Sequence, residues 1–166
     1  MIGKQSEERM KSKEQVLSLI VRNRPDVLAR VAGIFSGRGF NIENISANIT
    51  PDPGITRITI VTWGDTATVE KIEKQMKKLV DVRRVTHMNG EGSVRRELLL
   101  IRAALNNENE DEVIFLIEGL GGRIIQKDHG SCIAEFTGSS DDINGILNRL
   151  DGIGMEDLGR SGTVAL

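Results

Sequence analysis

Between residues 22 and 28 the chain reads Arg22-Asn23-Arg24-Pro25-Asp26-Val27-Leu28, a basic polar loop opening into an apolar-periodic segment. Pro25 fixes its own φ and pushes Arg24 toward extended geometry. Asp26 is expected to cap a helix, because Val27, Leu28, Val31, Ile34 and Phe35 follow it at helical spacing. A loop at a helix start offers backbone N–H groups with no intrahelical acceptor and the positive end of the dipole. That is a socket for a small carboxylate, with the amides of Val27 and Leu28 as donors. Two amide side chains, Asn23 and Asn41, bracket it in sequence. The arrangement suits holding an amino acid better than reacting with one. Loop asparagines also commonly bond their own backbone, and that reading of Asn23 and Asn41 stands beside ligand contact.

No set of residues with catalytic spacing accompanies this loop. His87 and His129 fall at a strand end and in a turn, without ligand spacing to each other or to Cys132. Cys132 alternates with apolar neighbours and reads as a small core residue rather than a nucleophile. Asp141-Asp142 sits at a helix start, where acids are favoured in any case. Gly119-Leu120-Gly121-Gly122 and Gly37-Arg38-Gly39 run from helix to strand, the reverse of a nucleotide-binding loop, and read as helix ends.

The elements that must position the loop follow from periodicity. Leu17, Leu19 and Val21 alternate with Val16, Ser18 and Ile20 as in a strand with one buried face. The helix after Asp26 stops at Gly37 and Gly39, where glycine accepts the left-handed conformation. Residues 40–49 read as the second strand, with Ile45, Ala47 and Ile49 on one face. Thr50-Pro51-Asp52-Pro53-Gly54 is a turn, and 55–63 alternates as a third strand. Gly64-Asp65 opens a helix striped by Val69, Ile72, Met76 and Leu79, and 82–87 is a fourth strand. The order is βαββαβ, a ferredoxin-like α+β arrangement with helices on one face of an antiparallel sheet.

Residues 89–94 carry a polar, glycine-rich linker, after which the pattern repeats over 95–166. Strands are expected over 97–103, 123–127, 131–137 and near 155–158. Helices are expected with stripes Val113, Leu116, Ile117, Leu120 and Ile143, Ile146, Leu147, Leu150. The fold class is therefore two tandem ferredoxin-like domains, over 15–88 and 95–166, with residues 1–14 as a mobile charged tail. Ile20, Val61 and Trp63 point away from the first domain's helices, an apolar patch that calls for cover by the second domain or a second subunit.

Bulk composition narrows the function. The 166 residues hold 22 Lys and Arg against 24 Asp and Glu, a net charge of −2 with mixed signs and no footprint of nucleic-acid binding. One Trp, four Phe and no Tyr are too few for base-stacking platforms. No apolar run approaches a membrane span, and the first residues have no hydrophobic signal region. The single cysteine excludes an intrachain disulfide and fits a reducing, cytoplasmic compartment.

The run 16–19, Asn23-Arg24-Pro25, Leu28-Ala29-Arg30-Val31, Phe35-Ser36 and 38–43 resemble the small, regulatory subunits of acetolactate synthase (acetohydroxyacid synthase). So do Ile72-Glu73-Lys74-Gln75, 78–82, Val85, Arg96-Glu97-Leu98, Gly122-Arg123-Ile124-Ile125 and Arg160-Ser161-Gly162, in family order. The resemblance implies a dimer of tandem domains, the first an amino-acid-sensing ACT domain. It implies effector binding between two ACT domains, at the loop into the first helix and the start of the second strand. Carried onto this chain, those positions are Asn23, Asp26, Val27, Leu28, Asn41 and Ile42. It implies a chain with no catalytic residues and no cofactor of its own. The partner is a catalytic large subunit holding thiamine diphosphate, Mg²⁺ and usually FAD, with valine as effector. A free-standing ACT module controlling another enzyme or a transcription factor is the alternative, although no basic helix-turn-helix is visible. The family usually carries glycine where Asp26 stands; a carboxylate there adds negative charge beside an effector's own, so weak or absent valine inhibition is expected of this chain, with activation of the large subunit retained.

Overall fold

The computed structural model describes residues 13–37, 40–90, 92–106 and 108–166, in two compact units. The first unit groups residues up to Val94 with Thr163–Leu166, and the second comprises Arg95–Gly162. The expected second domain ran to residue 166; its last four residues instead belong to the first unit. Of the expected tail, residues 1–12 lie outside the described residues, while Lys13 and Glu14 already form strand.

In the first unit the order is β1 (Lys13–Arg22), α1 (Val27–Ser36), β2 (Asn44–Ile49), β3 (Ile55–Gly64), α2 (Thr66–Met76) and β4 (Val82–His87). The sheet is antiparallel in the order β2-β3-β1-β4. Leu17, Leu19 and Val21 of β1 and Ile58 and Ile60 of β3 share one face, where Val31 and Phe35 of α1 and Val69, Ile72 and Met76 of α2 close the core. Each such side chain, fully buried, contributes about 1.5–3 kcal/mol. Asp65 caps α2 by accepting the Thr68 amide at 2.7 Å.

Two local expectations change. β2 begins at Asn44, not Phe40, because residues 40–43 spend their polar groups elsewhere: the Phe40 amide donates to the Phe35 carbonyl at 3.1 Å, and the Asn41 carbonyl accepts the Thr62 hydroxyl at 2.7 Å. Gly37 ends α1 with φ −65°, a right-handed turn whose amide donates back to Gly33. Gly39 lies outside the described residues.

The outer face of this sheet has an unexpected cover. Val16 and Val61 are buried with Met88 and Ala165 in a small cluster of their own. Ala165 lies in β9 (Val164–Ala165), held because Val94 and Leu166 exchange two backbone hydrogen bonds of 2.8 and 3.0 Å. The Thr163 amide also donates to the Asn44 side chain at 3.1 Å. Trp63, expected on the same face, remains 38% exposed.

The second unit repeats the plan with β5 (Arg95–Ala104), α3 (Glu110–Gly119), β6 (Arg123–Asp128), β7 (Ser131–Gly138), α4 (Ser140–Arg149) and β8 (Met155–Arg160). Its sheet runs β6-β7-β5-β8, antiparallel throughout. Leu99, Ile101, Ile117, Phe136 and Ile143 form its core. Gly121 leaves α3 with φ 79°, as a glycine helix end allows. Gly122 is required for space, since a Cβ there would lie 2.4 Å from the Phe136 ring. A capping box of Ser139 and Asp142 starts α4. Arg160 ties the end of β8 to Glu97 of β5, to Asn144 at 2.9 Å and to the Ser140 hydroxyl at 3.1 Å.

Candidate functional site

The β1–α1 loop borders a cavity of about 230 Å³ in the first unit, below the roughly 300–1,000 Å³ of a drug-sized pocket and on the scale of one small metabolite. Val21, Val27, Leu28, Ala47, Ile49 and Ile58 make its walls apolar. Arg22, Asn23, Arg24 and Thr56 supply the polar groups. Leu28 and Ile49 are 46% and 63% exposed at its edge.

Asp26 does not cap α1. Its φ is 68°, the only positive value at a non-glycine among the described residues, and its side chain makes no capping bond. A capping residue needs extended geometry to turn its oxygen onto the first-turn amides. Following Pro25, Asp26 instead takes the left-handed position that a proline-initiated turn gives to glycine or asparagine. Its carboxylate is carried to Arg30, one helical turn on, at 3.1 Å.

Arg30 also donates at 2.9 Å to Asp81, a carboxylate 3% exposed in the turn between α2 and β4. The Asp81 carbonyl accepts the Arg22 amide at 2.9 Å. Its Oδ1 is buried without a hydrogen bond, with the Arg24 guanidinium 3.8 Å away. A distant turn thus grips the loop through three arginines. Sequence reasoning passed over Asp81, Arg24 and Arg30 as site groups; a contact spanning 51 positions leaves no local signal.

The Asn23 amide group holds the opposite flank. Its backbone N–H donates to Gly54 at 2.8 Å and its side-chain N–H to Pro53 at 2.9 Å, fixing the turn before β3. Asn23, Val27 and Leu28 line the cavity and Asp26 stands beside it. Asn41 and Ile42 do not join them within one chain. Asn41 lies by Thr62 near the far end of β3, seven positions from Ile55, about 23 Å at strand rise. Its side chain donates to Glu43 at 2.9 Å, and Ile42 packs on the core.

Elsewhere, burial raises the Cys132 thiol above its ordinary range, which disfavours the thiolate. Among the described residues no group of three His, Cys, Asp or Glu is placed to hold a metal ion. No helix among them is long and apolar enough to cross a membrane.

A βαββαβ unit with a small apolar cavity at its first loop, followed by a second such unit, defines a chain of the ACT-domain class. Residues 17–84 match the family model described as an AHAS small subunit-like ACT domain, and 96–166 match that of the small subunit of acetolactate synthase. The chain is 37% identical over 158 residues to the probable acetolactate synthase small subunit of Methanothermobacter thermautotrophicus, covering 95% of this chain and 94% of that one. It is 36% identical over 153 residues to the acetolactate synthase isozyme 3 small subunit of Salmonella typhimurium, covering 92% and 94%. The crystal structure of the acetolactate synthase small subunit from Thermotoga maritima superposes with a TM-score of 0.85 at 36% identity, over 93% of this chain and 96% of that one. The chain belongs to the acetolactate synthase small-subunit family.

Proposed function

We propose that this chain is the non-catalytic regulatory subunit of an acetolactate synthase in branched-chain amino-acid synthesis. It binds the catalytic large subunit, raises its turnover and transmits feedback from valine or a close relative. Thiamine diphosphate, Mg²⁺ and FAD belong to the catalytic partner; this chain needs no cofactor. The observation that carries the effector reading is the cavity whose walls are aliphatic and whose mouth carries Arg22, Asn23 and Arg24. A branched side chain suits the walls, and a carboxylate and ammonium suit the mouth.

The chain works as a homodimer in this reading. β2 pairs only with β3 within the first sheet, and exposed Leu28 and Ile49 sit along that edge. A second copy added there continues the sheet and brings its Asn41 and Ile42 toward the cavity that one chain leaves incomplete. Bound at such a junction, an effector shifts the dimer between two geometries by no more than its difference in affinity for them.

Reconstitution with the cognate large subunit tests this. The small chain alone should form no acetolactate from pyruvate, and its addition should raise the large subunit's rate. An unchanged rate overturns the activating role. Light scattering that gives a monomer mass at micromolar concentration overturns the dimer.

A further inference from the structure

We propose that Arg24 is the group that selects a carboxylate in this cavity, and that Asp81 is its positioning residue; the inference rests on the effector reading above. Arg24 lines the cavity on one side and faces the buried Asp81 on the other. It is 59% exposed and only 3.8 Å from Asp81 Oδ1, an ionic contact without a hydrogen bond. The guanidinium is therefore kept near the mouth by charge while its donors stay available. Arg30 makes this arrangement workable. Its 2.9 Å bond to Oδ2 leaves Asp81 compensated when Arg24 turns to a ligand.

The charge balance points the same way. Arg24 and Arg30 face Asp26 and Asp81, and Arg22 also lines the cavity, so three cations stand against two anions around the loop. One positive charge is left at a cavity whose remaining lining is aliphatic or neutral. Asn23 spends one of its two side-chain N–H donors on Pro53 and is neutral, so it adds at most one uncharged hydrogen bond to a carboxylate. Its carbonyl oxygen suits an ammonium instead. The site so described takes a small aliphatic α-amino acid and rejects the same skeleton without its carboxylate. Arginine, not lysine, fits the task, because a planar fork can pair a carboxylate through two parallel bonds.

The test compares valine with valinamide, which keeps the branched tail and ammonium and lacks the anion. Calorimetric titration uses the full chain in natural form and as Asp26→Gly. Valine should bind about tenfold tighter than valinamide, the scale of one charge-assisted hydrogen bond. Arg24→Gln should abolish that ratio with an unchanged Tm, whereas Arg24→Lys should keep part of it. Asp81→Asn should narrow the ratio, and added to Arg24→Gln it should do nothing more. Equal loss for both ligands in Arg24→Gln, or no loss, overturns this inference alone. Absence of valine binding in both the natural chain and Asp26→Gly overturns the effector reading and this inference with it.

Discussion

Arg30 and Asp81 lie 2.9 Å apart across 51 positions of sequence, joining the first helix to the turn before β4. Asp81 is nearly inaccessible, and Arg30 keeps 43% of its side chain in solvent. Removing the charge from the buried member leaves two guanidiniums facing a neutral amide. Breaking such pairs costs about 3–5 kcal/mol when both partners are buried. With solvent screening the arginines, Asp81→Asn should cost about 2 kcal/mol in urea unfolding. Arg30→Gln should cost less, because Arg24 remains to face the carboxylate. A loss larger in Arg30→Gln than in Asp81→Asn would contradict this ordering.

Asp26→Gly should raise stability slightly, by about 0.5 kcal/mol. Relief of a left-handed non-glycine residue is worth about 1 kcal/mol, offset by glycine's greater freedom in the unfolded chain. The exposed pair with Arg30 contributes little at that degree of exposure. The same substitution removes a negative charge from the cavity mouth. Valine inhibition of the reconstituted enzyme, expected weak in the natural chain, should strengthen while activation persists. A lower Tm for Asp26→Gly would show that the ion pair outweighs the strain.

The Asp142 carboxyl is held below the usual aspartate range, first by the Ser139 hydroxyl and then by the Ser139 amide. A depressed folded value means that this box stabilises the fold above the unfolded value of about 3.9 and ceases to as pH falls through the folded value. Asp142→Ala should therefore lower Tm at pH 7 and give a shallower loss as pH falls below about 4. Parallel Tm curves for the two chains across that range would contradict it.

The alternation of Leu17, Leu19 and Val21 and the stripe of Val69, Ile72 and Met76 were enough to read the first βαββαβ unit, the stripes through Val113 and Ile143 the second, and β4 falls at 82–87 as its pattern predicts. Burial on one face imposes a period, and a period is visible locally. The loop geometry was less legible. Asp26 has the composition of a cap and the backbone of a glycine, because Pro25 before it sets the turn type. Asp81 carried no signal, since its meaning depends on arginines far upstream. Asn23 and Asn41 looked paired by their spacing, and the intervening helix carries them to opposite ends of the sheet.

The short strand at Val164–Ala165 bears on how the chain is made. Synthesis runs from the N-terminus, and a tandem protein of independent units folds its first unit while the second is still being translated. Here Val16 and Val61 wait for Ala165, which is joined only after the whole second unit. The first sheet therefore leaves the ribosome with an apolar face still open. Its final closure waits until the second unit's residues exist. A fragment ending at Val94 would carry that open face permanently, with Val94 lacking the Leu166 partner that completes it.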